Sequence, residues 1–118
     1  MGKLTEDLLP IIYSGEFRRV LATGKRFRRR SVTVVISSSE DAGALSMVGI
    51  TVSKRVGNAV VRNLVRRRIR HVLREQSWVS GFSMVIISER RAGKSSFSDL
   101  SDEIVSVGRE AQLLDLTR

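Results

Sequence analysis

The chain has 118 residues, 42% of them apolar, and sets 21 Lys/Arg against 12 Asp/Glu, for a formal charge of +9 and a pI near 11.4. That length and apolar content suit one compact domain over residues 1–118, and the charge surplus calls for a polyanionic partner, either nucleic acid or an acidic membrane surface. The absence of cysteine excludes disulfides and thiolate metal sites, and the single His71 cannot assemble an imidazole-rich zinc site. No apolar run approaches the roughly 18 residues of a spanning helix, and the opening MGKLTEDLLPIIYSGEF lacks the basic-then-apolar order of a signal peptide, so a cytoplasmic location is expected.

In chain order, residues 16–23 are predicted to form a short helix, because Phe17, Val20 and Leu21 recur at i, i+3, i+4 and Gly24 follows as a stop. Residues 31–37 (SVTVVIS) alternate as a strand, with Val32, Val34 and Ile36 on one face and Ser31, Thr33, Val35 and Ser37 on the other. After a turn-like SSSEDAGA, residues 45–55 alternate again. Val48, Ile50 and Val52 face one way; Gly49, Thr51, Ser53 and Arg55 face the other. Each strand thus has an apolar face and a small, half-polar one, which predicts a sheet with a greasy underside and a shallow polar groove on top.

Gly57-Asn58 opens the longest predicted helix, with Asn58 as N-cap and a pattern running to about Gln76. At 100° per residue Val61, Val65, Ile69 and Val72 cluster on one side, with Leu64 and Leu73 at its edges, while Asn63, Arg66, Arg67, Arg70 and Arg74 lie opposite. Residues 82–87 (FSMVII) read as a further strand, RRAGKSS as a loop, and residues 98–114 as a closing helix with Leu100, Ile104, Val107, Ala111 and Leu114 on one face. Ser98 is its expected N-cap, and Asp99, Asp102 and Glu103 suit its positive end. The order α-β-β-(β)-α-β-α, the bracketed strand being a short extra one, is that of an α+β, two-layer sandwich.

Charge follows this division. Fifteen of the 21 basic residues fall in two acid-free blocks, 18–30 and 54–74, while most acids lie in the middle loop and the C-terminal third. One strongly positive surface is implied. A solvated helix face usually mixes Glu with Lys, whereas an acid-free stripe of Arg presents planar donor forks suited to phosphates. The turn before the long helix, Arg55, Gly57 and Asn58, offers backbone N–H groups and a cation as an anion site.

The stretch VSKRVGNAVVRNLVRRRIR resembles the signature of the protein subunit of bacterial ribonuclease P, in which a strand ending in V-S-K-[KR] runs through G-N-A into a helix bearing R-N-R-x-[KR]-R-x-I-R. EFRRVLATGKRFRRRSVTVVIS resembles the first helix and strand of that family, so the likeness spans residues 17–87. The resemblance implies a small α/β sandwich that binds ribonuclease P RNA and helps it remove the 5′ leader of precursor tRNA. The chemistry then resides on the RNA and its magnesium ions, with no catalytic group, cofactor or metal on this chain, no membrane and no small-molecule substrate.

By similarity, Arg62, Asn63, Arg66, Arg67 and Arg70 would grip the catalytic RNA, and a groove on the polar face of the sheet would hold the single-stranded leader. Phe17 fits the first aromatic of the family, with plain core packing as the rival reading. Leu21 and Val35 occupy positions that are often aromatic, which shifts the expected recognition toward phosphate contacts from Arg18, Lys25, Arg28 and Lys54, with Thr51 and Ser53 along the groove. The signature also has Leu64 where the family usually has Arg, and Arg68 where it usually has an apolar residue. The two positions are four apart, so Arg68 is expected either to substitute for the missing guanidinium or to snorkel from the rim of the core. A ribosomal or other small RNA-binding protein would share the charge but not the V-S-K-R…G-N-A…R-N spacing. A stand-alone nuclease would need a cluster of acid–base groups that the basic region lacks, and a helix-turn-helix would need a helix, not a strand, before the Arg helix.

Overall fold

The computed structural model describes residues 5–39, 41 and 43–116. It contains β1 (Leu8–Pro10), α1 (Ser14–Thr23), β2 (Lys25–Arg28), β3 (Val32–Ser38), β4 (Ser46–Val52), α2 (Ala59–Glu75), β5 (Phe82–Ser88), a 3-10 helix (Arg90–Lys94) and α3 (Phe97–Glu110). The five strands form one mixed sheet in the order β1-β4-β5-β3-β2. β3 pairs antiparallel with β2 and β5, whereas β4 runs parallel to both β1 and β5.

Strand alternation decides which side chains meet. Val32 and Val34 of β3, Val48 and Val52 of β4, and Met84 and Ile86 of β5 share one face. They join Val65, Ile69, Val72 and Leu73 of α2 and Leu100, Ile104 and Val107 of α3 in the main core. On the other face Val35 and Val85 meet Val20 of α1 in a smaller cluster bordered by Ile11, Phe17, Leu21 and Ile87. The predicted apolar stripe of α2 therefore holds.

α2 begins as expected: the Asn58 side chain accepts from the Val61 N–H at 3.0 Å. Its far end is closed by Trp78, which is 2% exposed and donates through Nε1 to the Leu73 carbonyl at 2.9 Å. Two boundaries differ from expectation. The N-cap of α3 is Ser96 rather than Ser98, because Ser96 Oγ and the Asp99 carboxylate bond reciprocally to each other's backbone N–H, which leaves Ser98 inside the helix. That helix stops at Glu110, since Gln112 turns into the left-handed region (φ 58°) and sends Leu114 back to bridge Trp78. In place of the one short extra strand expected before the long helix there are two, both nearer the N-terminus. They are β1 and β2, flanking α1, and RRAGKSS holds a 3-10 helix. Of the predicted turn at 37–44, residues 40 and 42 lie outside the described residues.

α1 is fastened to its face of the sheet by a polar clasp. Glu16 accepts from Arg19 Nε at 2.7 Å and from Ser83 Oγ at 2.7 Å, while Arg19 Nη1 donates to Ser37 Oγ at 3.1 Å. The Arg19 guanidinium, helped by Ser83 and opposed by burial, holds the Glu16 carboxyl below its usual 4.5. A depressed folded-state pKa gives a contribution that is complete above the unfolded value and fades as pH falls through the folded one. Glu16→Gln is therefore expected to lower stability to urea at pH 7, with the gap to the parent closing below pH 4.5. Trp78 fluorescence would follow the unfolding, and a gap that persisted in acid would show that the clasp does not depend on charge.

Candidate nucleic-acid interface

The outward side of α2 gathers Asn63, Arg66, Arg67 and Arg70 around a shallow concavity, together with Val60 and Leu64. The apolar stripe beneath, anchored on the sheet, sets this orientation, since residues 63, 67, 70 and 74 fall opposite residues 65, 69 and 72 at 3.6 residues per turn. Arg66 Nη1 donates to Asn63 Oδ1 at 3.3 Å, bracing two members of the ridge. Among the described residues, the ion pairs are Arg19–Glu16 and Arg29–Glu110, and His71 Nε2 lies 3.0 Å from Glu75 Oε1. None of the α2 arginines is neutralised by a carboxylate in these pairs.

Two predicted members of this ridge sit elsewhere. Arg62 is half-buried one heptad before Ile69, with its Nε enclosed and unpartnered, and does not line the concavity. Arg68 points along the flank toward the 3-10 helix and donates through Nη1 to the Ser95 carbonyl at 2.8 Å. The expected exchange with Leu64 is corrected accordingly: Leu64 borders the concavity and Arg68 does not. A 40° difference in helical phase is enough to turn position 68 to the α3 side.

The second surface is the face of the sheet that α1 only partly covers. Successive cross-strand rows run Arg26-Val35-Val85-Gly49 and then Arg28-Thr33-Ile87-Thr51. α1 lies over the first of these rows. Val35 is fully buried there against Val20 and Val85, so its expected place in an open groove is corrected. The Phe17 ring rests on Gly49, whose missing side chain makes the room: a Cβ there would stand 3.2 Å from Phe17 Cε2.

The second row is left more open. Its Thr33 is buried, Leu21, Ile87 and Thr51 are half-buried and Arg28 is exposed, as are Arg18 of α1 and Ser53 and Lys54 just past the end of β4. Lys25 does not belong here. Its cross-strand partner Ile36 packs against the main core, and its Nζ lies 5.2 Å from the Phe27 ring centroid on the opposite face. Arg26, paired with Val35, takes its place on the groove face. Phe27, turned to the core, sends Arg26 and Arg28 together to the other side.

Of the expected anion site, Asn58 uses its side chain to cap α2, and Gly57 is required by space, since a Cβ there would lie 2.8 Å from Val61 Cγ1. Arg55 leaves this turn to border a separate cleft with Arg90, Arg91 and Lys94. The last three were assigned to a plain loop by sequence reasoning.

The family model described as Ribonuclease P matches residues 10–112. A ribonuclease P protein component from Clostridium acetobutylicum is 32% identical over 103 residues, covering 86% of this chain and 87% of the relative. One from Streptococcus agalactiae serotype III is 31% identical over 100 residues, covering 84% and 90%. Among solved structures, the RNase P protein of Staphylococcus aureus superposes with a TM-score of 0.77 at 23% identity, covering 90% of this chain and 97% of that one. That of Thermotoga maritima gives 0.68 at 20%, covering 78% and 87%. At those identities the structures establish the likeness of fold, and the sequence matches establish kinship.

Proposed function

The chain belongs to the ribonuclease P protein family, and from that premise we propose that it binds ribonuclease P RNA through the outer ridge of α2 and steers the 5′ leader of precursor tRNA along the face shared by α1 and the sheet. The observation that carries this reading is the ridge itself. Asn63, Arg66, Arg67 and Arg70 are gathered on one side of a rigid helix and no carboxylate within the described ion pairs answers their charge. Guanidinium groups three or four residues apart on a helix repel by a few tenths of a kcal/mol per pair. A phosphate backbone removes that repulsion and releases its own counterions, so association is favoured by both.

The phosphodiester cleavage itself is assigned to the RNA and its magnesium ions. The protein acts by placing the substrate, with the cationic groove drawing in the leader backbone and the half-buried Phe17 ring offering a stacking surface beside it. In such a design the chain raises the effective concentration of substrate at a catalyst it does not itself contain. Among the described residues no helix is long and apolar enough to cross a membrane, and a cytoplasmic setting, where precursor tRNA is made in bacteria, is the one proposed.

The test is to mix the chain with ribonuclease P RNA at low magnesium and follow cleavage of precursor tRNA. The mixture is expected to cut faster than the RNA alone, and the chain alone to cut nothing. No stimulation would remove the reading, and cleavage by the chain without RNA would favour a protein nuclease.

A further inference from the structure

We propose that the cleft bordered by Arg55, Arg90, Arg91 and Lys94 is a second RNA-binding site, holding a separate backbone strand of the same catalytic RNA that lies on the α2 ridge. This rests on the function proposed above and adds a contact outside its motif.

The cleft follows from sheet topology. β4 and β5 are parallel neighbours, with Val52 opposite Ser88 at their ends. The segments that follow them therefore leave the sheet at the same end, bringing Arg55 from one and Arg90, Arg91 and Lys94 from the other into one concavity.

Two contacts hold the 3-10 helix there. Gly93 lies so close to the turn that precedes α2 that a Cβ would fall 2.3 Å from the Val56 carbonyl oxygen. At the other end Arg68 Nη1 ties the Ser95 carbonyl to α2, and Ser95 Oγ donates to the Arg91 carbonyl at 3.0 Å. This gives Arg68 a positioning role: it fixes the segment that carries the cations.

All four cationic side chains are exposed, and none joins the ion pairs among the described residues. Glu89 stands at the N-cap of the 3-10 helix, outside the lining of the cleft, and on another side Arg91 also borders a depression with Asp99, Asp102 and Glu103. Of these, Asp99 caps α3 and Glu103 accepts from the Ser31 N–H at 2.6 Å. The floor is apolar, made by Val56 and Val61. A cationic rim over an apolar floor fits a sugar–phosphate strand, with riboses on the valines and phosphates on the rim.

The cleft flanks α2 on the side carrying Val61 and Arg68, apart from the ridge. An RNA that fills both would set α2 between two of its strands, a geometry offered by a groove or a helical junction.

The experiment compares Arg90→Gln/Lys94→Gln with Arg67→Gln, measuring affinity for ribonuclease P RNA across a salt series. The double variant is expected to bind about tenfold or more weakly, and its log–log salt slope to flatten by nearly two units, from roughly 0.9 per lost phosphate contact. Parental affinity and slope in the double variant, with Arg67→Gln impaired, would overturn the cleft and leave the ridge intact. Parental behaviour in both would overturn the proposed function as well. Normal binding to the catalytic RNA with weakened capture of precursor tRNA by the holoenzyme would assign the cleft to substrate and refute its present assignment. Circular dichroism checks folding, and should the double variant unfold, Lys94→Gln alone decides by its slope, with a crosslinker at position 94 expected to label the catalytic RNA.

Discussion

Replacing Arg67 and Arg70 together by glutamine is expected to weaken binding to ribonuclease P RNA by about a hundredfold or more near physiological salt. Hydrogen bonds to charged groups contribute about 1.5–3 kcal/mol each, and 1.4 kcal/mol is a factor of ten. The salt dependence should flatten by nearly two units in the log–log slope, because two phosphates then keep their counterions. Stability should move the other way or not at all. Both side chains are exposed and make none of the ion pairs among the described residues, so their removal relieves repulsion worth a few tenths of a kcal/mol per pair.

That opposition of sign separates a binding ridge from a structural one. Arg29 provides the contrast, since it donates to Ser106 Oγ at 2.8 Å and pairs with Glu110. Arg29→Gln should lower the thermal midpoint and leave the salt slope nearly unchanged. Retention of parental affinity and slope by the Arg67/Arg70 variant would remove the ridge from the interface.

The main core was legible in the sequence because its signals are periodic. Val32, Val34 and Ile36 alternate at period two, Val65, Ile69 and Val72 recur at helical spacing, and both sets meet as expected in the main core. The short elements were harder. β1 is three residues long and β2 four, too brief for alternation to stand out, and β2 is so rich in cations that its single core residue, Phe27, is the only clue to its face. The error over Lys25 and Arg26 follows directly from missing that strand.

The cationic blocks were visible, but their division of labour was not. Within the first block Arg19 and Arg29 serve the fold through carboxylate partners distant in sequence or one helical turn away. A charge count cannot tell these from Arg26 and Arg28, which face the groove. Gly93 and Arg90 were unreadable for another reason: their importance comes from β4 and β5 lying side by side, a long-range fact that local periodicity does not carry.

Phe17→Leu is expected to leave affinity for ribonuclease P RNA at the parental level and to reduce the holoenzyme's affinity for precursor tRNA about five- to 150-fold, provided the leader is several nucleotides long. The range follows from base–aromatic stacking of roughly 1–3 kcal/mol. The choice of leucine keeps the apolar contact with Val20, Val85 and Ile11 in the smaller cluster, so packing loss stays below about 1.5 kcal/mol. A substrate with a single leader nucleotide should bind parent and variant alike.

Phe17 bears unusual weight here because Val35 is fully buried and Leu21 is aliphatic, which leaves that ring as the one aromatic surface among the described groove residues. Gly49→Ala supplies an independent arm. Its new Cβ would press on the ring from 3.2 Å and displace it by a few tenths of an ångström, so the same leader-length dependence should weaken without any change of the ring itself. Equal losses for long and short leaders would reduce Phe17 to core packing. The leader would then be held by Arg18, Arg26 and Arg28 through phosphates alone, and its affinity would follow salt rather than base identity.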